Sequence, residues 1–278
     1  MVSINSNYAA TFAAKAAKQT TTELNSAMEK LSTGKRINYA RDDAAGQAIS
    51  IRLTAEIQGL AMASRNASDG QAMIDTAEGA LMETQTLLLR MRELAVQSSN
   101  GTLASADRAA LEKEASSLEA EITRIADTSS WAGQMLLDGS LSDGITFQAG
   151  TKAGTANLIT VSIGEMSASA ATISYTAAFS IGAFENAQSA ITAIDAALSG
   201  VSEVRGKLGG ISNRLNSTIA NMDQVRVNLS ASQGRIEDAD FATETGNLAK
   251  NQILQQAATA MIAQANASKN SVLNLLRG

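Results

Sequence analysis

IDAALSGVSEVRGKLGGISNRLNSTIANMDQVRVNL, residues 194–229, decides the fold. Within it Ile194, Ala197, Val201, Val204, Leu208, Ile211, Leu215, Thr218, Met222, Val225 and Leu229 recur three and four residues apart, a seam of five heptads. That spacing puts every one of them on one face of a helix. The run is longer than an ordinary globular helix, so it implies a rod packed lengthwise on other long helices.

A matching rod reads from Asp43 to Ser98. Ile49, Leu53, Ile57 and Leu60 begin its stripe, and Ile74, Ala77, Leu81, Thr84, Leu88, Met91 and Ala95 continue it. Ser99, Asn100 and Gly101 supply a turn, and a third helix from Ser105 to Asp127, with Leu111, Ala115, Leu118, Ile122 and Ile125 on one face, folds back antiparallel. Between Gly133 and Gly164 the period changes to two. Ile145, Phe147 and Ala149 alternate, as do Ile159, Val161 and Ile163, which reads as a β-hairpin approached through the turn pairs Asp138-Gly139 and Asp143-Gly144. Ser167 to Ser180 is mostly Ala, Ser and Thr and reads as a surface loop or weak strand. The fold class is therefore mainly α: a long antiparallel helical bundle or coiled coil with a small β-hairpin region.

The two ends of the chain resemble each other. Ala10, Ala14, Ala17, Thr21, Leu24, Met28 and Leu31 form one seam, and Leu254, Ala258, Met261, Ala265, Ser268, Val272 and Leu275 form another. Gly34 and Gly234 stand between these helices and the bundle. A lone amphipathic helix cannot bury its own stripe, so each terminus is expected to stay mobile until a partner covers it, the natural partner being a second copy of the chain.

Composition narrows the function. Proline is absent, where ~14 would be expected at average usage, and alanine is about a fifth of the chain with 3% aromatic residues. Long uninterrupted helices packed through small side chains follow. Histidine and cysteine are absent, which removes the commonest acid-base group and metal ligand, thiolate nucleophiles and disulfides. The net charge of −5 comes from 22 basic and 27 acidic residues interspersed, so no basic stripe offers itself to nucleic acid or a membrane surface. Residues 1–19 lack the apolar run of a secretory signal peptide, and no run reaches the ~18 apolar residues of a membrane span.

No motif restores a catalytic or cofactor reading. Gly200 to Lys207 has five residues between its glycines where a phosphate-binding loop has four, Leu208 stands in place of the magnesium-binding hydroxyl, and the heptad seam runs through it. Gly206, Gly209 and Gly210 are better read as permitting close helix contact. The acidic clusters Asp42-Asp43 and Glu237-Asp238 with Asp240 could furnish oxygen ligands, but both precede helices and are read as caps. Four N-x-S/T patterns, beginning at Asn66, Asn216, Asn228 and Asn266, fall inside helices. No enzyme, cofactor or metal is expected.

LSTGKRINYARDDAAGQAISIRLTAEIQGLAMASRNASDGQAMIDTAEGAL at Leu31–Leu81 and RMRELAVQSSNG at Arg90–Gly101 resemble the N-terminal signature of bacterial flagellin. GRIEDADFATETGNLAKNQILQQAATAMIAQANASKNSVLNLLR at Gly234–Arg277 is similar to its C-terminal signature, and Glu185–Ser232 matches more weakly. The resemblance implies a secreted structural subunit that self-assembles into the bacterial flagellar filament for motility. Residues 1–42 and 233–278 would form the inner tube, and 43–184 with 185–232 the outer wall. Leu24, Met28, Leu31, Leu254, Met261, Val272 and Leu275 would serve polymerisation, with Lys35, Arg36, Arg41, Asp42 and Asp43 in the connector. The exposed domains common between hairpin and C-terminal rod are reduced to about 20 residues, which marks a short form.

The same resemblance implies an export chaperone, a cap and junction proteins as partners. It also implies recognition by an animal innate immune receptor through Arg90, Leu94 and Glu114, which can equally be read as a contact between subunits. The alternatives are a hook-filament junction protein, which shares such ends, and a surface adhesin for extracellular polysaccharide. Three tyrosines and one tryptophan give the adhesin little to stack on a sugar.

Overall fold

The computed structural model describes residues 6–168 and 180–277. Most of the expected loop over Ser167–Ser180 lies outside the described residues. Five long helices account for most of the chain: α1 (Tyr8–Thr33), α2 (Ala44–Ser98), α3 (Ser105–Thr128), α4 (Phe184–Glu237) and α5 (Phe241–Arg277). Four short strands follow α3: β1 (Ser130–Trp131), β2 (Gln134–Met135), β3 (Ile145–Gln148) and β4 (Leu158–Val161). The chain divides into two compact units, residues 58–227 and residues 1–57 with 228–278.

Unit 58–227 is held by the expected seams. Ile74, Ala77, Leu81, Thr84, Leu88, Met91 and Ala95 of α2 are all buried, as are Ile194, Ala197, Val201, Val204, Leu208, Leu215 and Met222 of α4. Full burial of a Leu or Ile side chain contributes ~1.5–3 kcal/mol, so these two stripes dominate the unit's stability. Polar links fix the direction of packing. Gln71 donates to Ser212 (2.8 Å), Arg205 to Glu78 (2.8 Å) and Arg92 to Asp195 (2.7 Å), so partners retreat along α4 as they advance along α2, and the two helices are antiparallel. The Arg108 guanidinium of α3 reaches back to the Ser98 carbonyl at 2.9 Å and Arg90 bonds to Glu114 at 2.8 Å, so partners retreat along α2 as they advance along α3, and the two are antiparallel.

The hairpin pairs β3 with β4 antiparallel, with Ile145 opposite Val161 and Phe147 opposite Ile159. Ile159 and Val161 are buried, so the alternation read from sequence sets the inward face. A smaller hairpin, β1 with β2, was not anticipated. Its two-residue turn is Ala132-Gly133 with φ of 50° and 84°, the pair of positive values that a tight hairpin turn requires.

The structure departs from expectation at the glycines of α4. A Cβ placed at Gly206, Gly209 or Gly210 meets nothing within 4 Å, so none of the three is needed for close packing. The early α2 stripe holds at Leu60, with Leu53 and Ile57 half-buried, and departs only at its first residue. Ile49 is 38% exposed and Ser50 is buried in its place. The reason is polar: the Ser50 hydroxyl donates to Glu237 at 2.9 Å, which draws that face inward.

Unit 1–57 with 228–278 has a different interior. The largest correction is that α1 and α5 are not lone helices but pack on each other. They run antiparallel, with the Asn7 amide donating to the Ala265 carbonyl (3.2 Å), Gln255 to Thr21 (3.3 Å) and Lys30 to Glu244 (3.2 Å). Nor does a break fall at Gly234, because α4 continues to Glu237. Gly34 does end α1, adopting the left-handed φ of 71° that suits a residue without a Cβ.

Candidate assembly surface

The α1 and α5 pair buries small residues and displays large ones. Ala13, Thr20 and Ala27, spaced by sevens, form the buried row of α1, and Asn251 is the buried residue among the described side chains of α5. This α1 face lies one residue away from the expected stripe. Small side chains let the two helices approach closely, which the bulkier ones would prevent. The large apolar residues are held outward as a consequence. Phe12, Ile253 and Met261 are 76%, 67% and 61% exposed, and Tyr8, Met28, Phe241 and Leu254 are exposed as well. Together with Ala13, Ala16, Ala258 and Ala265, Phe12 and Met261 line an apolar groove of about 370 Å³.

Of the residues expected to drive polymerisation, Met28, Leu254 and Met261 are exposed, while Leu24 and Leu31 are half-buried. The side chains of Val272 and Leu275 lie outside the described residues. Sequence reasoning missed Tyr8, Phe12, Phe241 and Ile253. The available signal was their size out of phase with an alanine-rich seam, since such a side chain points away from a face that only small residues can pack.

The connector between α1 and α2 is clasped to the corner between α4 and α5. Ala239 donates its N–H to the Gly34 carbonyl (2.9 Å), and the Arg36 N–H donates to the Glu237 carbonyl (2.6 Å). The Arg36 guanidinium reaches the Ile236 carbonyl at 2.6 Å. The Glu237 carboxylate is the centre of the clasp, accepting from Lys35 Nζ (2.5 Å), Ser50 (2.9 Å) and Gln233 (3.1 Å). The lysine hydrogen bond, assisted by those from Ser50 and Gln233, holds this carboxyl below the usual glutamate range against the opposing effect of burial.

The acidic clusters divide their labour. Asp43 accepts from the Gly46 N–H (2.9 Å) to cap α2, and Asp240 accepts from Ala242 (3.0 Å) and Thr243 (3.3 Å) to cap α5. Asp42 instead fastens the turn before α2 by accepting from the Asn38 and Tyr39 N–H groups, and Glu237 is the clasp residue just described. Of the five carboxylates read as caps, Asp43 and Asp240 cap helices, whereas Asp42 and Glu237 find nearer donors. Among the described residues no group of three or more Asp or Glu lies close enough to hold a metal ion.

Elsewhere, in unit 58–227, the structure brings Arg90 and Glu114 together. Arg90 donates to Glu114 through Nε (3.0 Å) and Nη2 (2.8 Å), and to Glu93 through Nη1 (2.9 Å). All three are exposed, whereas Leu94 is 1% exposed and belongs to the interior.

Two family models match this chain: the bacterial flagellin N-terminal helical region over residues 4–142 and the bacterial flagellin C-terminal helical region over residues 191–276. A flagellin of Halalkalibacterium halodurans is 49% identical over 251 residues, covering 90% of this chain and 91% of that relative. Flagellin FlaB1 of Treponema pallidum is 40% identical over 284 aligned residues, covering 99% of both. The crystal structure of Bacillus cereus flagellin superposes with a TM-score of 0.50 at 26% identity, covering 57% of this chain and 88% of that one. Long helices at both ends of the sequence, a reduced middle and near full-length similarity to short relatives converge: the chain belongs to the bacterial flagellin family, the structural subunits of the extracellular flagellar filament.

Proposed function

We propose that the chain enters the filament through the α1 and α5 pair: the outward Tyr8, Phe12 and Met28 with the half-buried Leu24 and Leu31 on α1, and the outward Phe241, Ile253, Leu254 and Met261 on α5. Val272 and Leu275 continue the α5 stripe in sequence. One observation supports this above the rest: seven large apolar side chains stay exposed on a helix pair whose own interface is made of small residues. Exposed apolar patches of this extent mark interaction surfaces. Covering each such side chain is worth ~1.5–3 kcal/mol, enough in sum to offset an association cost of ~4–15 kcal/mol. On this reading residues 1–42 and 233–278 serve the tube and 43–232 the wall.

The test is a pair of charges at two exposed positions of α5, 67% and 61% accessible. Ile253→Asp with Met261→Asp is expected to abolish salt-induced filaments in electron micrographs while leaving the helical circular dichroism of the monomer intact. Normal filaments from this variant would overturn the proposal. The export chaperone, the cap and the junction proteins implied by the family resemblance would meet the same apolar side chains before assembly or at the filament ends. A catalytic role has no support, since the chain carries neither His nor Cys.

The exposed Arg90–Glu114 pair supports a second surface, shared between neighbouring subunits and an animal innate receptor. Leu94 then acts from the interior by positioning α2. Arg90→Asp is expected to weaken receptor activation by the monomer and to disturb filament packing together. A variant that polymerises normally yet fails to activate the receptor would separate the two surfaces.

A further inference from the structure

The chain has ten methionines and no cysteine, so thioethers are among its most readily oxidised groups. The fold sorts them. Met73, Met91, Met166 and Met222 are buried, whereas Met28, Met62, Met82, Met135 and Met261 are exposed. Met261 is the most accessible methionine among the described residues, at 61%. It also lines the apolar groove of the α1 and α5 pair, where Gln264 and Ser268 are the polar neighbours and the Ser268 hydroxyl is already donating to the Ala265 carbonyl at 3.0 Å.

We propose that Met261 is an oxidative modification site at which a peroxide, acting on the unassembled subunit, blocks entry into the filament. The inference rests on the α1 and α5 surface being the assembly surface. In the reaction a sulfur lone pair attacks one oxygen of hydrogen peroxide, and an S–O bond forms as the O–O bond breaks. Sulfur loses two electrons, and the departing hydroxide takes the proton of the transferred oxygen to leave as water. The product carries a strongly polar S–O acceptor where a thioether stood. A neighbouring subunit covering the groove would strip that oxygen of water and leave it the Gln264 amide as the one uncommitted side-chain donor in the lining, whereas the thioether it replaces needs none. The same cover shields an assembled Met261, so oxidation acts on assembly and not on finished filament.

Full-length monomer and preformed filament are treated with dilute hydrogen peroxide, mapped by peptide mass spectrometry, and the monomer is then induced to polymerise with salt. Met261 is expected to oxidise several-fold faster in the monomer, and monomers carrying the sulfoxide are expected to lose polymerisation measured by light scattering. Peroxide treatment should leave the polymerisation of Met261→Leu protein where it stands in the untreated variant, and methionine sulfoxide reductase should restore the oxidised wild type. Normal polymerisation of wild type fully converted at Met261 would overturn the inference, as would equal loss in treated Met261→Leu. Untreated Met261→Asp separates the two levels. If it polymerises normally, the assembly reading of α5 fails, and if it does not polymerise while the sulfoxide form does, only the oxidation inference fails.

Discussion

The two units use the same helix-forming alphabet toward opposite ends. In residues 58–227 the large apolar residues of the helix seams, among them Leu81, Leu88, Met91, Ile194 and Leu208, are buried, while Met82, Leu89, Val96 and Val227 lie exposed off those seams. In residues 1–57 with 228–278 the connector buries Ile37, but the α1 and α5 pair buries only the row Ala13, Thr20 and Ala27, with Asn251 across from it, and Phe12, Ile253 and Met261 face outward. The first unit consumes its apolar surface in its own stability. The second holds it available for other copies, accepting a thinner interior in the free subunit. Stability and assembly are thereby assigned to different parts of one chain, even though α2 and α4 run through both.

The sharpest way to break this contrast is to truncate one apolar side chain in each unit. Leu208→Ala is expected to destabilise the monomer by ~2–5 kcal/mol, the usual cost of a cavity in a packed core. Ile253→Ala should shift monomer stability by no more than ~0.5 kcal/mol, as for an exposed site, while raising the concentration needed to polymerise. Denaturant unfolding checks both. A large loss of monomer stability from Ile253→Ala would mean that this side chain belongs to the subunit's own core.

Acid tests the clasp that closes the second unit. Glu237 has its folded-state pKa lowered, first by the Lys35 hydrogen bond and then by Ser50 and Gln233. Its stabilisation is therefore present above the ordinary glutamate pKa of ~4.3 and is lost as pH falls through the lower folded value. Glu237→Gln should be less stable than wild type at pH 7, and the difference should shrink below about pH 4. A difference that stays constant from neutral to acid pH would show that the carboxylate charge is not what holds the clasp.

The smallest expected effect concerns open glycine positions. Gly206→Ala should raise the unfolding free energy of the monomer by ~0.5–1 kcal/mol, because a Cβ there meets no neighbour and alanine costs less backbone entropy in a helix. Destabilisation would reveal a packing contact at that position after all.

The two units also differ in how much of them is legible in sequence. The later α2 stripe and the α4 seam as far as Met222 are legible in sequence, since Ile, Leu and Val at three and four spacing leave one helix phase, but Val225, expected on the same seam, is exposed. The hairpin of β3 and β4 is equally plain from the alternation of Ile145, Phe147, Ile159 and Val161, whereas its register comes from the structure. In α1 the phase was read one residue off, because alanine on several sides gives little preference between neighbouring faces. Ile49 was assigned inward because nothing local announces that Ser50 will bond to Glu237, far along the chain. The hairpin of β1 and β2 is two residues per strand, too short to show a period. The union of α1 with α5 was hidden for the same reason as the outward position of Phe12 and Ile253. Their partnership depends on small residues fitting together across the chain, which periodicity within either helix does not encode.

The absence of cysteine permits a direct measurement of the central claim, that the large apolar side chains of α1 and α5 are open in the subunit and covered in the filament. Ile253→Cys places a single thiol at a position 67% exposed in the free chain. Its rate of maleimide labelling can be compared between monomer and preformed filament at the same subunit concentration. The expected result is rapid labelling of the monomer and strong protection in the filament. Equal labelling of the two states would contradict it, and would mean that the filament is built on some other face.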